Sequence, residues 1–218
     1  YGIPPQYRFT DYRDLVNCDI VDAVDICTSN DAHFKVAMAA VEAGKPFNLE
    51  KPITLTAEEA DILAKAAQEK NVKNMVCFSY RFKAAARYAK DLIAQGKIGR
   101  VYHVNMQYFQ AWGLPRANCP LVWRYVKSRT GTGALGDLGS HALDLVRFVT
   151  NKEYTRVVGH TGTYVHERPL LDGEGVGKVD VDDFSNYMAD MEDEISVSFQ
   201  ITRFAYGRGN YQRMEIYG

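Results

Sequence analysis

Cysteine is scarce: the 218 residues hold four, Cys18, Cys27, Cys77 and Cys119, with no CxxC pair. That spacing argues against a zinc framework, so no metal is expected. It reads instead as buried or incidental thiols in a reducing cytosol, which predicts a cytoplasmic protein. No apolar run approaches the ~18 residues of a membrane span. The opening Tyr1-Gly2-Ile3-Pro4-Pro5 is neither a signal nor a transit peptide. Charge of one sign is also lacking. With 26 Lys+Arg against 27 Asp+Glu the net charge is −1, so nothing draws the chain to nucleic acid or an anionic membrane. No GxGxxG follows a strand pattern, so the usual pyrophosphate-binding turn is not in this chain. What remains is globular, 46% apolar and 24% charged.

The first eighty residues alternate strand and helix. Asp22 to Thr28 reads as a short buried strand, followed by Ser29-Asn30-Asp31 with N-cap chemistry. Val36, Ala37, Ala40 and Val41 recur at helical spacing, and Gly44 ends that helix. Phe47 to Leu49 is a second strand. Thr56 with Glu59 forms a capping box for a helix striped by Ala60, Leu63, Ala64 and Ala67. Asn74 to Ser79 is a third strand. This order predicts a parallel sheet with crossover helices, whose ligands bind at the carboxyl ends of the strands. Those ends carry Thr28-Ser29-Asn30, Glu50-Lys51-Pro52 and Tyr80-Arg81-Phe82.

The pattern then changes. A helix closed by Gly96 leads to a strand over Val101–Phe109. A weakly patterned stretch from Ala111 to Thr132 follows, then a helix marked by Leu138, Ala142, Leu145 and Val149. Strands are expected at Thr155–Val165, Asp182–Asp190, Glu194–Arg203 and Arg213–Tyr217, with a hairpin at Asp190–Glu194. Strands in succession predict a mostly antiparallel sheet. The fold class is therefore α/β: a parallel segment over residues 1–80, then an α+β segment over 81–218. Gly173, Gly175 and Gly177 lie between strands with no helix after them and read as a mobile turn.

Three places carry chemistry. Asp137, His141 and Asp144 stand at i, i+4 and i+7 of one helix and share a face. Gly136 and Gly139 in the same helix each cost roughly 1 kcal/mol relative to Ala, which suggests a close neighbour. From spacing alone this stripe is catalytic or an acidic helix start with a surface histidine. Pro52 keeps Lys51 extended at a strand end, where its ammonium can reach a hydroxyl. Trp123-Arg124 pairs a stacking face with a fork for phosphate, and Arg81 is a second phosphate or carboxylate candidate. His33, in the first turn of its helix, is placed to reach a ligand. Tyr108, Trp112 and Tyr125 are candidate stacking faces for a ring.

Taken in order, Val21 to His33, Leu49-Glu50-Lys51-Pro52, Phe78 to Phe82 and Gly133-Ala134-Leu135-Gly136-Asp137-Leu138-Gly139-Ser140-His141 resemble the Gfo/Idh/MocA family. The resemblance implies a Rossmann domain followed by a C-terminal domain with a large antiparallel sheet. It implies oxidoreductase activity on sugars, inositols and related polyols with NAD or NADP. Lys51, Asp137 and His141 match its catalytic positions. Thr28, Ser29, Asn30, His33, Glu50, Lys51, Arg81, Trp123 and Arg124 match or adjoin positions lining the cofactor. It also implies a homo-oligomer, dimer or tetramer, formed through the C-terminal sheet. Two departures are Thr28-Ser29-Asn30 for the usual Thr-Pro-Asn, and Leu49 before Glu-Lys-Pro. The family's first strand and glycine loop would precede Tyr1, and further sheet strands would follow Gly218. The chain thus reads as an internal portion. Two further readings stay open: an NAD-dependent glycosidase of the same family, and a non-catalytic sugar or cofactor sensor.

Overall fold

The computed structural model describes residues 2–218, which fold as two units divided between Cys77 and Phe78. In the first, a short helix α1 (Tyr12–Val16) precedes β1 (Val24–Ile26), α2 (Asn30–Glu42), β2 (Phe47–Leu49), α3 (Ala57–Glu69) and β3 (Asn74–Val76). The strands form one parallel sheet in the order β1-β2-β3. Val24, Ile26, Phe47 and Leu49 point to the buried side and pack on Val36, Ala37, Ala40 and Val41 of α2 and Leu63 and Ala67 of α3. Three-residue strands suffice for β1 and β2 because each is buried at its alternate positions, whereas β3 is exposed at Asn74 and Met75. The Thr56 hydroxyl accepts from the Glu59 amide at 3.2 Å, as the capping box predicts. Gly44 closes α2 with φ +67°.

The second unit opens with a 3₁₀ turn at Ser79–Phe82, where the third strand was expected to end, and continues with α4 (Ala84–Ala94) and β4 (His103–Phe109). The weakly patterned stretch holds two 3₁₀ turns and one short helix, α5 (Lys127–Thr130). Tyr125 anchors it, fully buried against Val179 and Val181. A π-helical turn over Leu135–Gly139 runs directly into α6 (Ser140–Thr150). Then come β5 (Tyr154–Gly162), β6 (Glu167–Pro169), β7 (Val176–Lys178), β8 (Phe184–Met191), β9 (Ser196–Thr202) and β10 (Tyr211–Tyr217).

The main sheet has the order β10-β4-β9-β8-β5. Three of its pairings are antiparallel and one, β4 with β9, is parallel. Alternation sorts its faces. Val104, Met106 and Tyr108 of β4 and Val197, Phe199 and Ile201 of β9 join Leu138, Ala142, Leu145 and Val149 of the helix in one core. The glycine run differs from the expected turn: Gly177 lies in β7, which pairs with β6, and only Gly173 and Gly175 take positive φ in the connection. Among the described residues no helix is long and apolar enough to cross a membrane.

Phe199 is fully buried and stacks on Tyr187 at 4.5 Å between ring centroids. Phe199→Ala is expected to cost about 3–5 kcal/mol in denaturant unfolding of the second unit, through lost burial and the cavity left behind.

Candidate functional site

The helix bearing Asp137 and His141 is held at its start by a residue 45 or more positions away. Asp182 accepts from the Gly133 amide (2.6 Å) with one carboxylate oxygen and from the Leu135 amide (2.7 Å) with the other, while its carbonyl accepts from Ala134 (2.9 Å). A helix start leaves amides unpaired, and an anion there satisfies them and favours the dipole. The approach demands glycine at position 133, since a Cβ there would stand 1.9 Å from the Asp182 carbonyl oxygen. A π turn is often found at functional sites; this one carries Asp137, and His141 follows in the first turn of α6.

The three residues of the expected stripe meet different partners. Asp137 Oδ2 accepts from Arg203 Nη2 at 3.1 Å. His141 is nearly buried, with Tyr80 edge-on at 4.5 Å and Phe78 and Tyr108 at 6.0 and 6.3 Å. Asp144 is gripped by both arms of the Arg81 fork, Nε to Oδ2 at 2.8 Å and Nη2 to Oδ1. The partner of Asp144 is thus a side chain from the 3₁₀ turn at Ser79–Phe82. The carboxylate that Arg81 meets is therefore internal to the fold.

Beside His141 runs a polar chain. Tyr80 and Tyr108 hydroxyls lie 2.6 Å apart, Tyr108 donates to Asn210 Oδ1 at 2.7 Å, and Gln110 Nε2 donates to the same oxygen at 2.9 Å. Trp112 Nε1 donates to Gln110 Oε1 at 2.5 Å. Burial, then the Tyr80 hydroxyl, pushes the Tyr108 phenol far up, so it stays a neutral donor. Gln110, Trp112, Cys119, Val122, Arg124 and Asp137 line a cavity of about 420 Å³. A larger hollow of about 510 Å³ between Leu135, Leu143 and the β5–β8 ribbon is mostly apolar and lined by no carboxylate, lysine or arginine. The chemistry favours the smaller one.

Sequence reasoning placed several residues differently. Tyr108 and Tyr125 are buried and offer no face to a ring; of the three aromatic candidates only Trp112 lines the cavity. Arg124 lies over the Trp123 ring at 4.3 Å and reaches that same cavity. In the first unit, Thr28, Ser29, Asn30, Glu50 and Lys51 stand at the carboxyl ends of β1 and β2. The Lys51 amide donates to Glu50 Oε2 at 3.1 Å, and the Lys51–Pro52 bond is cis. His33 departs from the expectation of a ligand contact. It is fully buried, with its ring nitrogens 2.7 Å from the Pro52 carbonyl and 3.2 Å from that of Thr28. It ties the two strand ends together. Nor are the thiols buried: Cys27 is exposed and the other three are intermediate. Partial desolvation, then the Asp25 carboxylate, raises the Cys27 thiol. Arg203, Asp182 and Asn210 were missed, because no local pattern marks a residue that acts across the fold. Among the described residues no cluster of His, Cys, Asp or Glu is arranged to hold a metal.

Asp182→Ala is expected to lower stability by about 1–3 kcal/mol, since it strands buried amides. Loss of protection at the Gly133 and Leu135 amides in hydrogen exchange checks the location.

Two family models cover the chain. One, described as an oxidoreductase family with an NAD-binding Rossmann fold, matches residues 1–78, and the GFO/IDH/MocA C-terminal domain matches 86–218. Levoglucosan dehydrogenase of Pseudarthrobacter phenanthrenivorans is 38% identical over 96% of this chain and 56% of its own. The solved levoglucosan dehydrogenase complex with NADH and levoglucosan superposes with a TM-score of 0.90 at 39% identity, over 96% of this chain and 55% of that one. An inositol dehydrogenase homologue of Azotobacter vinelandii, complexed with NADH and myo-inositol, gives 0.84 at 25% identity over 100% and 55%. The chain thus spans about half the length of these relatives. With both halves matched in order, it belongs to the Gfo/Idh/MocA oxidoreductase family.

Proposed function

We propose that the protein containing this chain is an NAD(P)-dependent dehydrogenase that oxidises a secondary alcohol of a sugar or polyol. The observation that carries this is the polar cavity rimmed by Asp137, Gln110, Trp112 and Arg124, with His141 one helical turn from Asp137. A ring with several hydroxyls needs acceptors, donors and a flat face, and these residues supply all three. The relatives named above are a levoglucosan dehydrogenase and an inositol dehydrogenase homologue, and levoglucosan and inositol are chemically of this kind.

The dinucleotide fits the first unit. Ligands of parallel sheets bind at the strand carboxyl ends, and β1 and β2 end on Thr28-Ser29-Asn30 and Glu50-Lys51, polar groups suited to ribose and carboxamide. When bound, a nicotinamide supplies the hydride acceptor. The chain's own groups do the rest. His141 takes the hydroxyl proton, as imidazole suits proton transfer near neutral pH. Lys51 donates to the substrate oxygen and stabilises developing alkoxide charge. Asp137 accepts from a substrate hydroxyl. Trp123 and Arg124 belong to the same cofactor-side set. Arg81, joined to Asp144, is a support for α6.

The open face of the main sheet carries exposed Val158, Met188 and Tyr217, which supports assembly of like subunits through it. Four free thiols fit a cytoplasmic setting.

A panel of levoglucosan, inositols and other sugars with both dinucleotides, run on the intact gene product and followed by NAD(P)H absorbance, tests the reading. A net rise in NAD(P)H with one sugar class is expected. Release of a sugar leaving group without net NADH would mark the glycosidase instead, and binding without turnover a sensor. On the best substrate, His141→Ala and Lys51→Met should each lower kcat by about 10²–10⁴-fold; full turnover in either removes that residue from the chemistry.

A further inference from the structure

Arg203 lies one residue past the end of β9 and is only 1% exposed. Arginine does not lose its proton in proteins, so a full charge is held out of water here. Its Nη2 reaches Asp137 Oδ2 at 3.1 Å, and Nε and Nη1 are buried with no hydrogen-bond partner. Ring faces cover it instead: Trp112 with its centroid at 4.6 Å and Tyr125 at 5.8 Å. The backbone is pinned too, with the Arg203 amide donating to the Asp183 carbonyl and its own carbonyl accepting from Gly113, both at 3.1 Å. A Cβ on Gly113 would stand 2.9 Å from the Arg203 Cβ, so the two backbones approach closely there. Asp137, by contrast, keeps 24% of its side chain exposed and lines the cavity.

We infer that Arg203 is a positioning residue for Asp137: it aims that carboxylate into the cavity beside Gln110, Trp112 and Arg124. Asp137 then acts as an acceptor for a substrate hydroxyl. This rests on the reading of Asp137 as a substrate contact. A fixed cation walled by two rings has one polar partner to give, and that partner is the group whose direction matters. An apolar side chain of similar volume would fill the space as well but would remove the bond from the cation to Asp137 Oδ2.

The test is a cycle in the intact enzyme with Arg203→Met, Asp137→Asn and the double variant, reading kcat and KM on the best sugar of the panel, with thermal unfolding alongside. Arg203→Met should lower kcat by about 10²-fold, the scale of a misplacement near 1 Å. In the Asp137→Asn background the same change should alter kcat by no more than about twofold, because both act through one carboxylate. If Asp137→Asn falls below detection, equilibrium binding of that sugar to the NADH-loaded variants replaces kcat in the cycle. Arg203→Lys, which keeps the charge, runs the same cycle where Met does not fold, with a smaller loss expected. Wild-type kcat in Arg203→Met, or an equal loss in both backgrounds, overturns the assignment. Wild-type kcat in Asp137→Asn alone would instead sink the substrate-contact reading, so the two failures are distinguishable.

Discussion

The second unit turns on one carboxylate. Asp182 clasps the amides of Gly133 and Leu135, and everything that follows on the helix takes its position from that clasp. Its flanking acids do the same kind of work. Asp180 accepts from the Lys127 amide at 2.6 Å, and Asp183 accepts from those of Tyr164 and Val165 at 2.8 and 3.1 Å. Three acids in one short segment thereby fix the starts of α5, the π turn and the link after β5. An amide left without an acceptor away from water is costly, so the part-buried contacts of Asp182 and Asp183 are obligations of the fold, while that of Asp180 is exposed. They also explain why a segment that reads as an ordinary strand entrance is so rich in aspartate.

Much of the architecture was legible because it rests on period and punctuation. The alternation at Val24/Ile26 and Phe47/Leu49, the α2 stripe, the capping box at Thr56 and the hairpin at Asp190–Glu194 are all local statements, and each has a direct counterpart in the structure. The parallel pairing of β4 with β9 was not legible, since it joins strands about 90 residues apart whose alternation is the same in either direction. The small β6–β7 ribbon escaped for another reason. Three-residue strands rich in glycine and proline carry no period to read.

The candidate site divides along the same line. Asp137 and His141 stood out because a helix spaces them on one side, and Lys51 because a proline follows it. What surrounds His141 is nonlocal. Tyr80, Tyr108, Asn210 and Gln110 come from a 3₁₀ turn, a strand and two loops, yet join in one hydrogen-bonded chain beside the imidazole. His33 shows the converse error. A polar residue in the first turn of a helix that follows a strand invites a ligand reading, but burial and two carbonyl contacts make it a tie between strand ends.

Buried charge is the remaining constraint. Arg168 and Arg203 both lie against Tyr125, at 4.0 and 5.8 Å from its ring centroid, and both are almost wholly out of water. Arg168 gives its two terminal nitrogens to the carbonyls of Cys119 and Gly113, so its charge fastens the long irregular stretch to β6. Arg203 meets a carboxylate instead. The desolvation cost of the two is similar, but the returns differ. Neutral carbonyls let Arg168 act as a rivet, whereas Arg203 pairs with a carboxylate that lines a cavity. Stability alone would have favoured apolar side chains at both places. The retention of a guanidinium beside Asp137 is therefore better explained by the direction it imposes than by the strength it adds.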